Sequence, residues 1–265
     1  MAELYLAEDP DEPGSQWVVK RLLPHLSIEQ EAIELFLLEA RLALRCAGHD
    51  NVVRVVGSGS EGGDHYIVME YIDGEMLADL AGEVPSLLAR RPEAGFAILA
   101  DACAGLEHIH DSGVIHRDVN PRNLLVGADG RTRLIDFGVA APHPVEGRGH
   151  ANRGTHAYMA PEQVRGEPMD RRTDVFAVGV ILWELATGER LFFRGPSYLT
   201  MAAVVNDPVP PLADPALQAV AARALAKDRT QRYASIAELA HDLLDLAGDR
   251  IDRDQVADLV IGFRR

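Results

Sequence analysis

His116-Arg117-Asp118-Val119-Asn120-Pro121-Arg122-Asn123 is the stretch that decides how this chain is read. Before it, Phe96, Leu99, Cys103, Leu106 and Ile109 recur at helix spacing, with Gly113 placed as a C-cap. After it, β-prone residues 124–126 and 132–135 flank Ala128-Asp129-Gly130, a hairpin signal. The octapeptide is thus expected to be a loop held at both ends. It carries one carboxylate, Asp118, and one amide oxygen, Asn123. Phosphoryl transfer needs those donor types, to orient an attacking hydroxyl and to hold Mg²⁺. Ordinary turn chemistry uses the same residue types, so the neighbouring sequence has to decide.

Working outward, Leu134-Ile135-Asp136-Phe137-Gly138 follows the hairpin. A carboxylate at a strand end, followed by a flexible glycine, suits a metal that bridges nucleotide phosphates. Residues 142–154 are rich in Pro, Gly and His, lack apolar periodicity and read as a loop. Then come Gly154-Thr155-His156-Ala157-Tyr158-Met159-Ala160-Pro161-Glu162 and, further on, Asp174 opening an apolar helix.

His-Arg-Asp with Asn123, Asp-Phe-Gly and Ala-Pro-Glu, in that order, resemble the protein-kinase signature set. The resemblance covers essentially the whole chain, and its wording is most similar to the eukaryotic-like serine/threonine kinases of bacteria. It implies an α+β, bilobal protein-kinase-like fold. A small β-rich lobe and hinge would span residues 1–72, and a larger helical lobe with a helical tail residues 73–265. It also implies ATP and Mg²⁺ as cofactors and protein Ser/Thr hydroxyls as acceptors. By the same resemblance Asp118 is the catalytic base and Asn123 and Asp136 are the Mg²⁺ ligands. Glu162 would pair with Arg232, and Asp174 would brace the loop backbone. Trp17-Val18-Val19-Lys20 is similar to the strand that carries the phosphate-contacting lysine, Lys20. Glu39 is its expected partner, with Glu31 and Glu34 as alternatives on the same helix. Val68-Met69-Glu70-Tyr71-Ile72 resembles the hinge. Met69 would guard the back pocket, backbone groups of Glu70 and Ile72 would pair with adenine, Leu4 and Val18 would roof it, and Glu75 would reach ribose.

The chain departs from the pattern in three places. Residues 1–7 resemble the tail of the Gly-rich loop and the strand after it, and the first strand and leading glycines have no counterpart. The expectation is either a start further upstream or weak ATP binding. Asn120 stands where serine/threonine kinases usually place a lysine near the transferred phosphate. Arg122 is expected to supply that charge, since arginine suits phosphate oxygens. Residues 139–153 contain no Ser, Thr or Tyr, which excludes phosphorylation there. Two other readings compete with an active kinase. A nucleotide-weak pseudokinase acting as a binding module is favoured by the missing glycines and opposed by Lys20, Asp118, Asn123 and Asp136 together. A small-molecule phosphotransferase of similar fold is opposed by Ala160-Pro161-Glu162.

The rest of the chain fits one soluble unit. A formal net charge of −15 argues against a nucleic-acid or anionic-membrane surface. The acidic start is no signal peptide, and the longest apolar run, residues 175–185, is interrupted by Glu184 and too short for a membrane span. Cys46 and Cys103 have no Cys or His at ligand spacing and read as buried thiols of a cytoplasmic protein. In the first lobe, strands are expected over residues 3–7, 16–22, 52–56 and 65–71, with a Gly/Ser turn between the last two. Ser27 with Gln30 forms a capping-box pattern ahead of a helix through Ile33, Phe36, Leu37 and Leu42. Further helices are expected over residues 173–187, 198–206, 216–225 and 235–246.

Overall fold

The structure, a computed structural model, describes residues 2–136 and 155–264. Phe137, Gly138, residues 139–153 and Gly154 lie outside the described residues, and so do the expectations placed on them.

Four antiparallel strands, β1 (Ala2–Glu8), β2 (Gln16–Leu22), β3 (Val55–Glu61) and β4 (Asp64–Glu70), form a sheet of order β1-β2-β4-β3. Helix α1 (Gln30–Arg45) packs against β3. It buries Ala32, Phe36, Ala40 and Ala43, positions spaced to lie along one helical face.

Two local expectations fail here. The first is the capping box. The Ser27 hydroxyl donates to the Leu23 carbonyl at 3.4 Å, closing a turn, and α1 begins after Glu29 with no side-chain cap. The second is the strand at residues 52–56, of which Val55 and Val56 alone are strand. Val53 donates to Leu134 at 2.8 Å and Val52 bridges to the same residue, so this pair ties the first lobe to the second. Strand β3 instead runs through Gly57, Ser58, Gly59 and Ser60, the stretch expected to turn. Gly59 pairs directly with Tyr66, whose ring would lie 2.6–3.1 Å from any Cβ placed there. An aromatic partner thus makes a poor β-former acceptable. The turn falls at Gly62-Gly63, with φ of 60° and 92°, which a tight hairpin requires.

A second, smaller sheet joins β5 (Gly74–Met76), β6 (Leu124–Gly127) and β7 (Thr132–Leu134) in that order. The remaining described helices are α2 (Leu77–Glu83), α3 (Leu87–Arg90), α4 (Pro92–Asp111), α5 (Pro161–Arg165), α6 (Arg172–Thr187), α7 (Ser197–Asn206), α8 (Pro215–Ala224), α9 (Ile236–Ala247) and α10 (Arg253–Phe263). Helix α6 is buried along nearly its whole length, which makes it the post around which α3, α4, α8 and α9 pack. Gly188, at φ 76°, ends it. Helix α10 lies on α4, β6 and α2. Asp252 caps it by accepting from the amides of Asp254 and Gln255. Among the described residues no helix is long and apolar enough to cross a membrane.

Candidate active site

Lys20 lies on β2 opposite Ile67 of β4, so the sheet fixes its backbone on both sides. Its Nζ donates to Glu39 Oε1 of α1 at 2.6 Å and to Asp136 Oδ1, just past β7, at 2.8 Å. Burial opposes the ammonium charge, but the two carboxylates overcome it and hold the Lys20 pKa above its usual value. Glu39, rather than Glu31 or Glu34, is therefore the partner. One ammonium now links the first sheet, α1 and the end of the second sheet.

The loop after α4 is built on a strained backbone. Arg117 has φ 68°, a left-handed conformation that costs a non-glycine residue about 1–2 kcal/mol. Asp174, in the first turn of α6, holds it there. Its Oδ1 accepts from the Arg117 amide at 2.8 Å, and its Oδ2 accepts from the His116 amide at 2.9 Å. His110 Nε2 of α4 contacts the same Oδ2 at 2.7 Å. From the far side, Gln163 Nε2 of α5 donates to the Arg117 carbonyl at 2.9 Å.

Asp118 sits at the centre of this loop. Asn123 Nδ2 donates to its Oδ2 at 2.9 Å and its carbonyl at 2.8 Å. Asn120 Nδ2 donates to its Oδ1 and its carbonyl, both at 3.0 Å. Burial pushes the Asp118 carboxyl up to about 6 against these hydrogen bonds, with the charges of Asp136 and Asp174 adding to the rise. The two bonds of Asn123 occupy its amide nitrogen and leave Oδ1 as its acceptor. Asp136 is 45% exposed and gives one oxygen to Lys20. An amide oxygen and a partly exposed carboxylate are hard donors that fit Mg²⁺. Among the described residues no group of three His, Cys, Asp or Glu could hold a metal by itself.

Residues Thr155–Tyr158 form a short 3-10 turn that leads to α5. Glu162 is bolted to the helical lobe by Arg232 through two bonds of 2.7 and 2.8 Å, and Thr173 donates to it at 3.0 Å. Burial pushes the Glu162 carboxyl up, but the bonds and charge of Arg232 hold it below its usual value. The Arg232 guanidinium also lies 4.8 Å from the Phe176 ring centre. Tyr158 donates to Glu184 at 2.6 Å. Arg122 is exposed.

The expected nucleotide positions gather along β1, β2, β4 and the segment after it. Val18 pairs with Leu6 on one side and Met69 on the other. Met69 is buried and Leu4 is 64% exposed. The Glu70 amide donates to the Arg54 carbonyl at 2.9 Å, and Ile72 makes no hydrogen bond among the described residues. Glu75 is drawn to a residue the sequence did not single out. Arg264, just past α10, donates to Glu75 at 2.8 Å and bonds Asp73 at 2.7 Å. His110 and Gln163 were missed as well. Nothing local marks them, because their partners lie on distant elements.

A lysine–carboxylate bridge thus links the two sheets, and a half-buried aspartate sits on a loop braced from α4, α5 and α6. Comparison with known proteins gives the family. A family described as "Protein kinase domain" matches residues 9–244. "Serine/threonine-protein kinase PknB" of Mycolicibacterium smegmatis is 36% identical over 258 residues, covering 92% of this chain and 40% of that protein. "Tyrosine-protein kinase MasK" of Myxococcus xanthus is 35% identical over 270 residues, covering 92% of this chain and 41% of that protein. The solved kinase domain of Mycobacterium tuberculosis PknI superposes with a TM-score of 0.68 at 26% identity, covering 92% of this chain and 91% of that one. The chain belongs to the protein kinase family. It spans about 40% of the length of these curated relatives.

Proposed function

We propose that this protein transfers the γ-phosphoryl group of ATP to Ser or Thr hydroxyls of protein substrates, in bacterial signalling. The observation that carries the reading is the pair of preformed constellations, Lys20 with Glu39 and Asp136, and Asp118 with Asn120 and Asn123. A binding module would not require both to be formed. Residues 1–72 form the nucleotide lobe and hinge, and residues 73–265 the lobe that presents the substrate.

In this reading Lys20 holds the nucleotide phosphates, and Glu39 keeps its ammonium aimed. Asn123 Oδ1 and Asp136 would hold Mg²⁺, whose bound charge offsets that of the phosphate oxygens. Asp118 orients the acceptor hydroxyl. As the bond from the hydroxyl oxygen to phosphorus forms and the bond to the β-phosphate oxygen breaks, the hydroxyl proton passes to Asp118. Arg122 supplies the cation that Asn120 cannot, from an exposed position two residues along the same loop. Adenine lies between Leu4 and Val18 above and Met69 behind, pairing with backbone groups of Glu70 and Ile72, and Glu75 faces ribose. With no Ser, Thr or Tyr over residues 139–153, activity does not depend on phosphorylation of that stretch. Two buried cysteine thiols support a reducing, cytoplasmic setting.

One observation favours a second acceptor. A relative of equal similarity is named a tyrosine-protein kinase. Phosphate incorporation from labelled Mg²⁺-ATP into a generic basic protein, followed by phosphoamino-acid analysis, tests both readings. Phosphoserine and phosphothreonine are expected, with loss of signal in Lys20→Met. Phosphotyrosine alone would overturn the choice of hydroxyl, and an unchanged signal in Lys20→Met would overturn the site.

A further inference from the structure

Asn120 is 3% exposed and uncharged, at the position where the resemblance places a lysine. All its polar capacity is directed inward. Its Nδ2 donates to the carbonyl and to Oδ1 of Asp118, each at 3.0 Å, and its Oδ1 accepts from the Arg122 amide at 2.9 Å. Asn123 mirrors the first pair of bonds on Oδ2. Each carboxylate oxygen of Asp118 is thus tethered by a different amide, and both amides grip the same carbonyl. A carboxylate held on both oxygens cannot turn about its terminal torsion without breaking a bond. Held on one oxygen, it sweeps that broad torsion.

We propose that Asn120 is a positioning residue for Asp118: it fixes the plane of the carboxylate that orients the acceptor hydroxyl. It would thereby hold the carboxylate and leave the charge to Arg122. This rests on the reading of Asp118 as the base. The competing role is a local turn, made by the Asn120 Oδ1 bond to the Arg122 amide.

Two substitutions separate the roles. Asn120→Ser keeps an acceptor for the Arg122 amide but falls an atom short of the Asp118 carboxylate. Asn120→Lys abandons that acceptor and restores a donor to the carboxylate. With Mg²⁺-ATP and a protein substrate, Asn120→Ser is expected to lower kcat about 10- to 100-fold, the scale of one hydrogen bond to a charged group. The KM for ATP should stay within about two-fold, because the bond acts on the hydroxyl and not on nucleotide binding. Asn120→Lys is expected to recover about ten-fold of that loss. The reverse pattern, a fast Ser variant and a slow Lys variant, assigns Asn120 to the turn and overturns the proposal. Two fast variants beside an inactive Asp118→Asn overturn it while leaving the reading of Asp118 intact. A fast Asp118→Asn removes both. Melting curves of each variant check that turnover is compared between folded proteins.

Discussion

Two carboxylates of this protein hold arginine or loop groups in opposite ways. Asp174 is 1% exposed and takes bonds from two loop amides and an imidazole. Glu75 is 26% exposed and shares a 36% exposed arginine with Asp73. The first sits in a low-dielectric interior where every lost partner leaves a desolvated group behind. The second sits in water, where geometry that looks as good on distance contributes little. The difference teaches where the fold is committed. The loop from His116 to Asn123 is set by the fold itself, because a buried carboxylate on α6 fixes the strained Arg117 backbone. The Glu75 side chain, by contrast, is held by ion pairs that water can replace.

The sharpest way to break this contrast is to remove each carboxylate in turn. Asp174→Ala orphans the His116 and Arg117 amides, and is expected to cost about 3–5 kcal/mol of unfolding free energy in urea titrations. Phosphate incorporation should vanish with it. A variant that unfolds like the unmodified protein would show that the loop does not depend on Asp174.

A smaller effect, of the opposite sign, is expected at Asp118. Burial holds its folded carboxyl up to about 6, against about 3.9 in an unfolded chain. Between those values the folded state binds more protons than the unfolded one, so this group's contribution to stability falls as pH rises. It is lost in full above about pH 6. Asp118→Asn lifts a burial cost on the order of 1–3 kcal/mol at pH 7 but turns one amide N–H toward the Asn120 or Asn123 donor, so the apo protein should gain less than that lifted cost. The advantage should shrink as pH falls from 6 to 4. A constant or reversed difference would contradict the burial cost assigned to Asp118.

The smallest effect belongs to the exposed pair. Arg264→Ala should leave the urea midpoint unmoved and change the KM for ATP by no more than about three-fold, as expected for a solvent-screened contact. A large loss of stability would mean that the hinge is committed as firmly as the loop.

The same contrast explains what was legible in the sequence. The loop from His116 to Asn123, Asp136 and Glu162 could be read because their chemistry is concentrated in short runs of unusual residues. Lys20, Glu39 and Arg232 were legible only through the family resemblance, since a lone lysine, glutamate or arginine carries no local pattern. Arg264 could not be read: it reaches Glu75 across 189 positions, and a lone surface arginine carries no pattern. His110 was hidden inside a helix whose periodicity already accounted for its neighbours. Strand β3 was misjudged because Gly59 is a poor β-former alone and becomes acceptable only beneath Tyr66. Ser27 misled because its hydroxyl bonds backward into a turn, a competition that composition cannot decide. Helix α10 did carry a signal, Asp252 followed by Val256, Leu259 and Val260 at helix spacing.

The most direct test of the account is turnover and nucleotide binding measured together in Asp118→Asn. The proposed base acts on the hydroxyl in the transition state and touches the bound nucleotide little. In this variant kcat is expected to fall about 10²- to 10⁴-fold, the usual range for removing a general base, with Mg²⁺-ATP affinity unchanged within about two-fold. Near-normal turnover, or a loss of turnover matched by an equal loss of nucleotide affinity, would contradict it.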